Sequence, residues 1–406
     1  MDSALKQAFE ISQKILVNSV KYPTILGDSY EELVYYYAEE LSKYGIHTTI
    51  HQVPREYCEK VLSKQFNPEK PRYILIARLG SGEKVLQFNG HYDVVAAGGG
   101  WSTDPFNPVI TDGRVYGRGT TDMKAGIAAF LATMIYFASA NKEPGIMIEG
   151  AVVPDEEIGG ATGTGYLVNE LGSRPDFVVI AEPSGPGNIY IGHRGNVWAM
   201  IRVRGKQAHG STPWLGENAF EKMITLADYI IKKYKPILET RKSCLKYEDP
   251  RASSPTITLG GKLEAPGSIN IVPGQVGFSI DRRLIIEEKA EQVVEELKEL
   301  VSSASIELGV ESEVEIVDYS NPVYVEEYHP YVNTLAQAVK ETLGVEPSRT
   351  ICVGGLDLKY YLSKGIPAVA YGPGEVNMAH KANEYVTLES LYNALKVYVK
   401  LVESFK

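Results

Sequence analysis

The sequence predicts an α/β fold, a largely buried sheet with helices packed on it, and three observations carry that reading. Short apolar, β-branched runs at Tyr73–Ala77, Val85–Asn89, Glu149–Pro154, Phe177–Ala181 and Ala368–Tyr371 read as strands of a buried sheet. Between them lie longer stretches in which apolar residues recur every three or four positions, the period of a helix. Acids and histidines stand directly after several of the strands, where α/β sheets gather their functional groups.

Taken in order, Ser3 to Tyr22 and Tyr30 to Tyr44 carry the helical period, and a loop with Pro68 and Pro71 leads into the first two strands. The second strand runs into Gly90-His91-Tyr92-Asp93, and alternation along an extended chain turns His91 and Asp93 to one face. A glycine-rich stretch follows and ends in Gly117-Arg118-Gly119-Thr120-Thr121-Asp122. These glycines lack the spacing and the Gly-Lys-Ser/Thr ending of a phosphate-binding P-loop. Gly126 to Ala140 is apolar throughout but only about 15 residues long, short of the roughly 20 that span a bilayer, and reads as a buried helix.

After Pro186 the pattern changes. Val197–Val203, Glu217–Tyr234, Thr256–Leu259, Val276–Leu284, Glu287–Ser303 and Glu313–Val317 alternate as β-α-β-β-α-β, the order of a ferredoxin-like domain. Tyr331–Leu343 then resumes a core helix, Ala368–Tyr371 a strand, and Leu388–Phe405 a last amphipathic helix. The expected architecture is one domain of residues 1–193 and 321–406, interrupted by an inserted domain of residues 194–320.

The 406 residues, 44% hydrophobic and 23% charged, suit a soluble globular chain with a full core. A net charge of -10 gives no electrostatic footprint for nucleic acid or an anionic membrane. Three cysteines without paired spacing fit a reducing, cytoplasmic setting.

The functional signal centres on Asp155-Glu156-Glu157, three acids between an apolar strand and a glycine turn. Such a cluster alone is usually a solvated turn. Its company decides otherwise: His91 with Asp93, Asp122, Glu182 and His380 all fall in the same domain, most of them just past a strand. Two histidines and three carboxylates make a mixed nitrogen and oxygen donor set that suits zinc, with cobalt or manganese as alternatives. Charge balance favours a pair of divalent ions, because Asp122, Glu157, Glu182 and a hydroxide then leave the centre neutral.

In these motifs the chain resembles the dinuclear zinc amidohydrolases and exopeptidases of peptidase family M20, which include acetylornithine deacetylase, succinyl-diaminopimelate desuccinylase, aminoacylase and glutamate carboxypeptidase. The resemblance runs in the family's order from Gly90-His91-Tyr92-Asp93 to Ala379-His380. It implies a zinc-exopeptidase-like mixed sheet sandwiched by helices, with the inserted domain acting as a lid and dimerisation element. It further implies that Asp122 bridges two metal ions, with His91 and Glu182 completing one site and Glu157 and His380 the other. Asp93 would orient His91, the bond after Asp122 would be cis, and Glu156 would be the general base for a hydroxide bridging the ions.

Gly205-Lys206-Gln207-Ala208-His209-Gly210 resembles the family's insertion-domain motif, which makes His209 a stabiliser of the oxyanion, acting across a homodimer in dimeric relatives. Asn270 and Arg283 resemble the residues that hold a substrate carboxylate, and Gly354, Gly355 and Lys359 lie in a glycine loop at the substrate. Here Leu356 replaces a hydroxyl residue and Lys359 an arginine, which weakens the case for a doubly carboxylated substrate.

The function implied is hydrolysis of the amide bond of N-acyl amino acids in amino-acid biosynthesis. The alternatives are a carboxypeptidase or dipeptidase acting on short peptides and, from another class, a non-catalytic binding homologue. The small-molecule substrate is the expected partner, together with a second copy of the chain.

Overall fold

The computed structural model describes residues 3–140, 142–265 and 267–406. They fall into two compact units, the first comprising Met1–Ile191, Val325–Arg349 and Leu356–Lys406, the second Gly192–Tyr324 and Thr350–Gly355.

The first unit is built on a mixed sheet. Its strands run in the spatial order His47–Gln52, Tyr73–Leu79, Met147–Val153, Val85–His91, Phe177–Ile180, Ala368–Ala370, followed by the strand that begins at Asn188. Val85–His91 lies parallel to both Met147–Val153 and Phe177–Ile180, whereas Tyr73–Leu79 pairs antiparallel to Met147–Val153. Pairing of His91 with Val153 and of Asn89 with Ile180 brings three strands to an end together. That shared carboxyl edge is where ligands of α/β sheets bind.

One face of this sheet carries the helix Ala125–Ser139, buried along almost its whole length and packed against Ser3–Val20 and Leu388–Ser404. Two glycines let it come close. A Cβ on Gly126 would fall 2.0 Å from the Ala181 carbonyl oxygen, and one on Gly90 would fall 2.8 Å from Ile127. The helix therefore starts directly over the ends of the strands that lead to His91 and Glu182, and Asp122, just before it, arrives between them. The opposite face is closed by a smaller apolar cluster that includes Cys58, Leu62, Ile74, Ala151 and Leu167. A three-stranded sheet of Val109–Thr111, Arg114–Tyr116 and Tyr385–Thr387 joins the chain around Arg118 to the chain after His380.

Several of these strands escape a search for apolar alternation. His47–Gln52 has a single aliphatic residue, Ile50, because it is an edge strand. The strands of the three-stranded sheet are only three residues long.

The second unit has four antiparallel strands in the order Thr256–Glu264, Gln275–Leu284, Gly195–Arg204, Glu311–Ser320. Its helices are Ala219–Tyr229, extended through Ile230–Tyr234 to Lys235–Thr240, and Ala290–Leu308. Alternate residues Val197, Ala199, Ile201 and Val203 face these helices in one apolar core, which leaves Trp198 and Arg202 on the other face. Asn218 caps the first helix by accepting from the backbone N–H groups of Phe220 and Glu221.

Cys58 and Cys352 are buried and Cys244 is exposed. Among the described residues no helix is long and apolar enough to cross a membrane.

Candidate metal centre

His91 is the last residue of its strand, Glu156 and Glu157 open a short 3-10 turn after Val153, and Glu182 follows the strand that ends at Ile180. Asp122 sits in the turn before Ala125–Ser139, and the Asp122–Met123 peptide bond is cis. His380 comes from the loop before Tyr385, with a left-handed φ of 63°.

These residues converge as two triads that share Asp122. His91 Nε2 lies 3.1 Å from Asp122 Oδ1 and 3.6 Å from Glu182 Oε1. His380 Nε2 lies 3.2 Å from Asp122 Oδ2 and 3.0 Å from Glu157 Oε1. Donors at about 2.0–2.1 Å from a tetrahedral zinc stand about 3.3 Å apart, so each histidine meets two carboxylates at the spacing of ligands around a cation, and donor atoms of His91, Asp122 and Glu157, and of His91, Glu156 and Glu182, also lie within 4.8 Å of one another. The two oxygens of Asp122 face different histidines, as a bridging carboxylate requires.

Protonation equilibria point the same way. Burial pushes the carboxyls of Glu182 and Glu156 well above their ordinary range, and neighbouring carboxylates, Asp122 for Glu182 and Glu182 for Glu156, push them further. Glu157 is raised by burial and by the charge of Asp122. Burial opposes charging of His91, but its contacts with Asp122 and Asp93 lift its pKa well above the usual imidazole value. Hydrogen bonds to Asp122 and Glu157 raise His380 to about 10. Asp122 alone is held low, because the two histidines outweigh its burial. The cluster thus holds protons where divalent cations would satisfy the same carboxylates.

The three adjacent acids divide their work through the backbone. Asp155, at φ 63°, turns away and accepts from Tyr30 Oη at 2.8 Å, Arg72 Nε at 2.7 Å and Thr162 Oγ1 at 2.6 Å. Glu156 and Glu157 turn toward the histidines. Glu156 shares a group with His91 and Glu182 in which donor atoms lie within 4.8 Å of one another, and no hydrogen bond to its carboxylate is found among the described residues.

Asp93 meets His91 through two groups. His91 Nδ1 meets the Asp93 backbone carbonyl at 3.0 Å and its carboxylate only at 3.5 Å. The carboxylate also accepts from the backbone N–H groups of Glu156 at 3.2 Å and Glu157 at 3.1 Å. One acid therefore ties the histidine end of one strand to the acidic turn after its neighbour.

The remaining expected residues are divided between the two units. In the second unit, pairing of Ala208–His209 with Ile271–Val272 brings His209 beside Asn270, whose carbonyl accepts from Gly210. The exposed His209 ring accepts the Ser211 backbone N–H at Nδ1, 3.1 Å away, so the neutral ring carries its proton on Nε2. Arg283 is paired with Asp281 at 2.9 Å and faces Trp198, while Arg282 is fully buried against Glu288 and Tyr234. Gly354 and Gly355 have no positive φ, and a Cβ on either would meet at most the Cys352 sulfur at 4.0 Å, so packing within the chain does not demand glycine there. Lys359, in the first unit, lies over the Tyr360 ring.

Two residues of the centre carry no role in the sequence reading. Glu384 is fully buried and accepts from three backbone N–H groups of the Asp122 turn, and Arg118 pairs with it. Their signal was an arginine between two glycines and an acid four residues after His380.

A metallohydrolase of Methanocaldococcus jannaschii is 29% identical to this chain, covering 97% of each. Succinyl-diaminopimelate desuccinylase of Zymomonas mobilis is 28% identical, covering 85% of this chain and 88% of its own. The crystal structure of an M20 family metallo-carboxypeptidase from Sulfolobus solfataricus superposes with a TM-score of 0.73 at 21% identity, over 100% of this chain and 99% of that one. The sequence pattern of peptidase family M20/M25/M40 matches residues 87–404, a span that contains both triads. The chain belongs to peptidase family M20/M25/M40 and is a hydrolase of that family.

Proposed function

We propose that the chain is a two-cation hydrolase that cleaves the amide bond of N-acyl amino acids, in the manner of the deacetylases and desuccinylases. The observation that carries this reading is that the two oxygens of Asp122 meet different histidines, His91 beside Glu182 and His380 beside Glu157. His91, Asp122 and Glu182 would hold one ion and Asp122, Glu157 and His380 the other, zinc fitting the donor set and cobalt or manganese being the alternatives. Bound there, the ions supply a water of lowered pKa and a polarised carbonyl.

Glu156 would accept a proton from the attacking water and return it to the departing amine nitrogen. Asp93 fixes the base indirectly, because its carboxylate holds the backbone N–H of Glu156. His209 offers an Nε2–H to the negative oxygen that forms during attack. Asn270 and Arg283 bind the substrate carboxylate, and Gly354, Gly355 and Lys359 border the acyl group. The second unit serves as a lid and as the contact of a homodimer.

A second reading, a carboxypeptidase or dipeptidase, is favoured by the likeness to the metallo-carboxypeptidase. Glu182, where some peptidase relatives carry Asp, and Lys359 in place of arginine lean toward deacylation of a substrate with one carboxylate. Side-by-side assays of N-acetylornithine, N-succinyl-diaminopimelate, other acyl amino acids and dipeptides under zinc and cobalt separate the two. The proposal expects deacylation to dominate. Fast dipeptide cleavage without deacylation would replace it with the second reading.

A further inference from the structure

The two triads differ in how their ligands are held. His91 and Glu182 follow directly on sheet strands, whereas His380 stands on a loop with its side chain 52% exposed. Yet its Nε2 lies within 3.2 Å of both Asp122 and Glu157. A surface histidine on an irregular segment needs something other than a strand to place it.

Glu384, four residues on, supplies a fixed point. Its Oε1 accepts from Thr121 N at 2.8 Å and Asp122 N at 3.1 Å, and its Oε2 accepts from Gly119 N at 3.1 Å. Successive N–H groups of the turn thus wrap one buried carboxylate, a nest for an anion. Gly119 makes the wrap possible, since at φ 82° a Cβ would fall 2.6 Å from Val94. Arg118 Nη1 donates to Oε2 at 2.5 Å, which gives the carboxylate a cation in the same buried space. The other terminal nitrogen of Arg118 donates to the carbonyls of Ala97 at 3.2 Å and of His380 at 3.3 Å. One guanidinium therefore touches the acid that carries the Asp122 turn and the backbone of the histidine that Asp122 faces. Further bonds from Gly117 N to the Glu384 carbonyl and from Thr121 Oγ1 to the Tyr385 carbonyl align the two segments.

We propose that the Arg118–Glu384 ion pair is the positioning element of the second triad, holding the Asp122 turn and the His380 loop in register so that Asp122 Oδ2 and His380 Nε2 meet on one cation. The inference rests on the two-cation reading above. Neither residue reaches the reacting atoms, and both act through the ligands they hold. The first triad depends on the pair less, because Asp122 Oδ1 is also met by His91, a fully buried strand-end residue.

The test is chelator-competition titration of the metal-free protein with Zn2+ alone, for the unaltered chain, Glu384→Gln and Arg118→Lys, with circular dichroism to verify folding. The expected result is two ions for the unaltered chain. Glu384→Gln lowers the weaker association constant about 10–100-fold, the range for partners that orient metal ligands, and leaves the tighter one within about threefold. Arg118→Lys keeps the charge but loses the planar fork, so it shifts the same constant in the same direction by less. It also keeps the test decisive if Glu384→Gln does not fold. Equal loss of both constants, or no loss, in a folded variant overturns the positioning role. If the unaltered chain binds a single ion, the two-cation reading falls and takes this inference with it.

Discussion

The two halves of the candidate metal centre meet at Asp122 but are built by opposite means. The half formed with His91 and Glu182 rests on sheet register, and those side chains are 1% and 6% exposed. The half formed with Glu157 and His380 rests on a 3-10 turn and a loop, and its histidine is open to solvent. A ligand at a strand end is fixed by the same hydrogen bonds that make the sheet, and it adds little entropic cost of its own. One on a loop must be held by a separate network.

Substitutions can break that comparison, the shared residue first. Asp122→Ala is expected to remove both ions and all measurable turnover, as read by metal analysis and the deacylation assay, since neither triad survives without it. Glu156→Gln should leave both ions in place and lower kcat by about 10²–10⁴, the usual contribution of a general base. Activity lost together with metal would instead make Glu156 a ligand.

A smaller effect separates the halves in the metal-free protein. His91→Ala removes a buried partner of Asp122 and Asp93 and should cost about 1–3 kcal/mol of stability in denaturant unfolding. His380→Ala, at an exposed position, should stay within about 1 kcal/mol. Equal losses would erase the distinction drawn here.

The smallest effect is on pH. In the metal-free protein His380 has its pKa raised to about 10 by Asp122 and Glu157, so it is charged at neutral pH and must lose that proton to serve as a ligand. Zinc binding should therefore release protons, and affinity should fall as pH falls. Calorimetry in buffers of different ionisation heat measures the number released, and a value of zero would contradict the raised pKa.

Much of this centre was legible in the sequence because its ligands follow apolar runs. His91, Glu156, Glu157 and Glu182 stand at the ends of strands marked by continuous aliphatic residues. What escaped was tertiary. The partners that hold Asp155 apart from its two neighbours, Arg72 among them, 83 positions away in sequence, show only in the fold. Asp93 lies beside the His91 ring, 3.5 Å from Nδ1, but its carboxylate also accepts from two backbone N–H groups of the acidic turn, which no residue pattern displays. Glu384 and Arg118 are separated by 266 positions and meet through strands of three residues, too short to show alternation. The helix over Ala125–Ser139 was plain from its composition, whereas its placement over the strand ends rests on close approaches at Gly90 and Gly126.

The central claim is that two cations share Asp122. Anomalous diffraction at the zinc edge from crystals of the metal-loaded protein tests it directly. The account predicts two peaks, each about 2 Å from one oxygen of Asp122, one beside His91 and Glu182 and the other beside His380 and Glu157. A single peak, or a second peak away from Asp122, would contradict it.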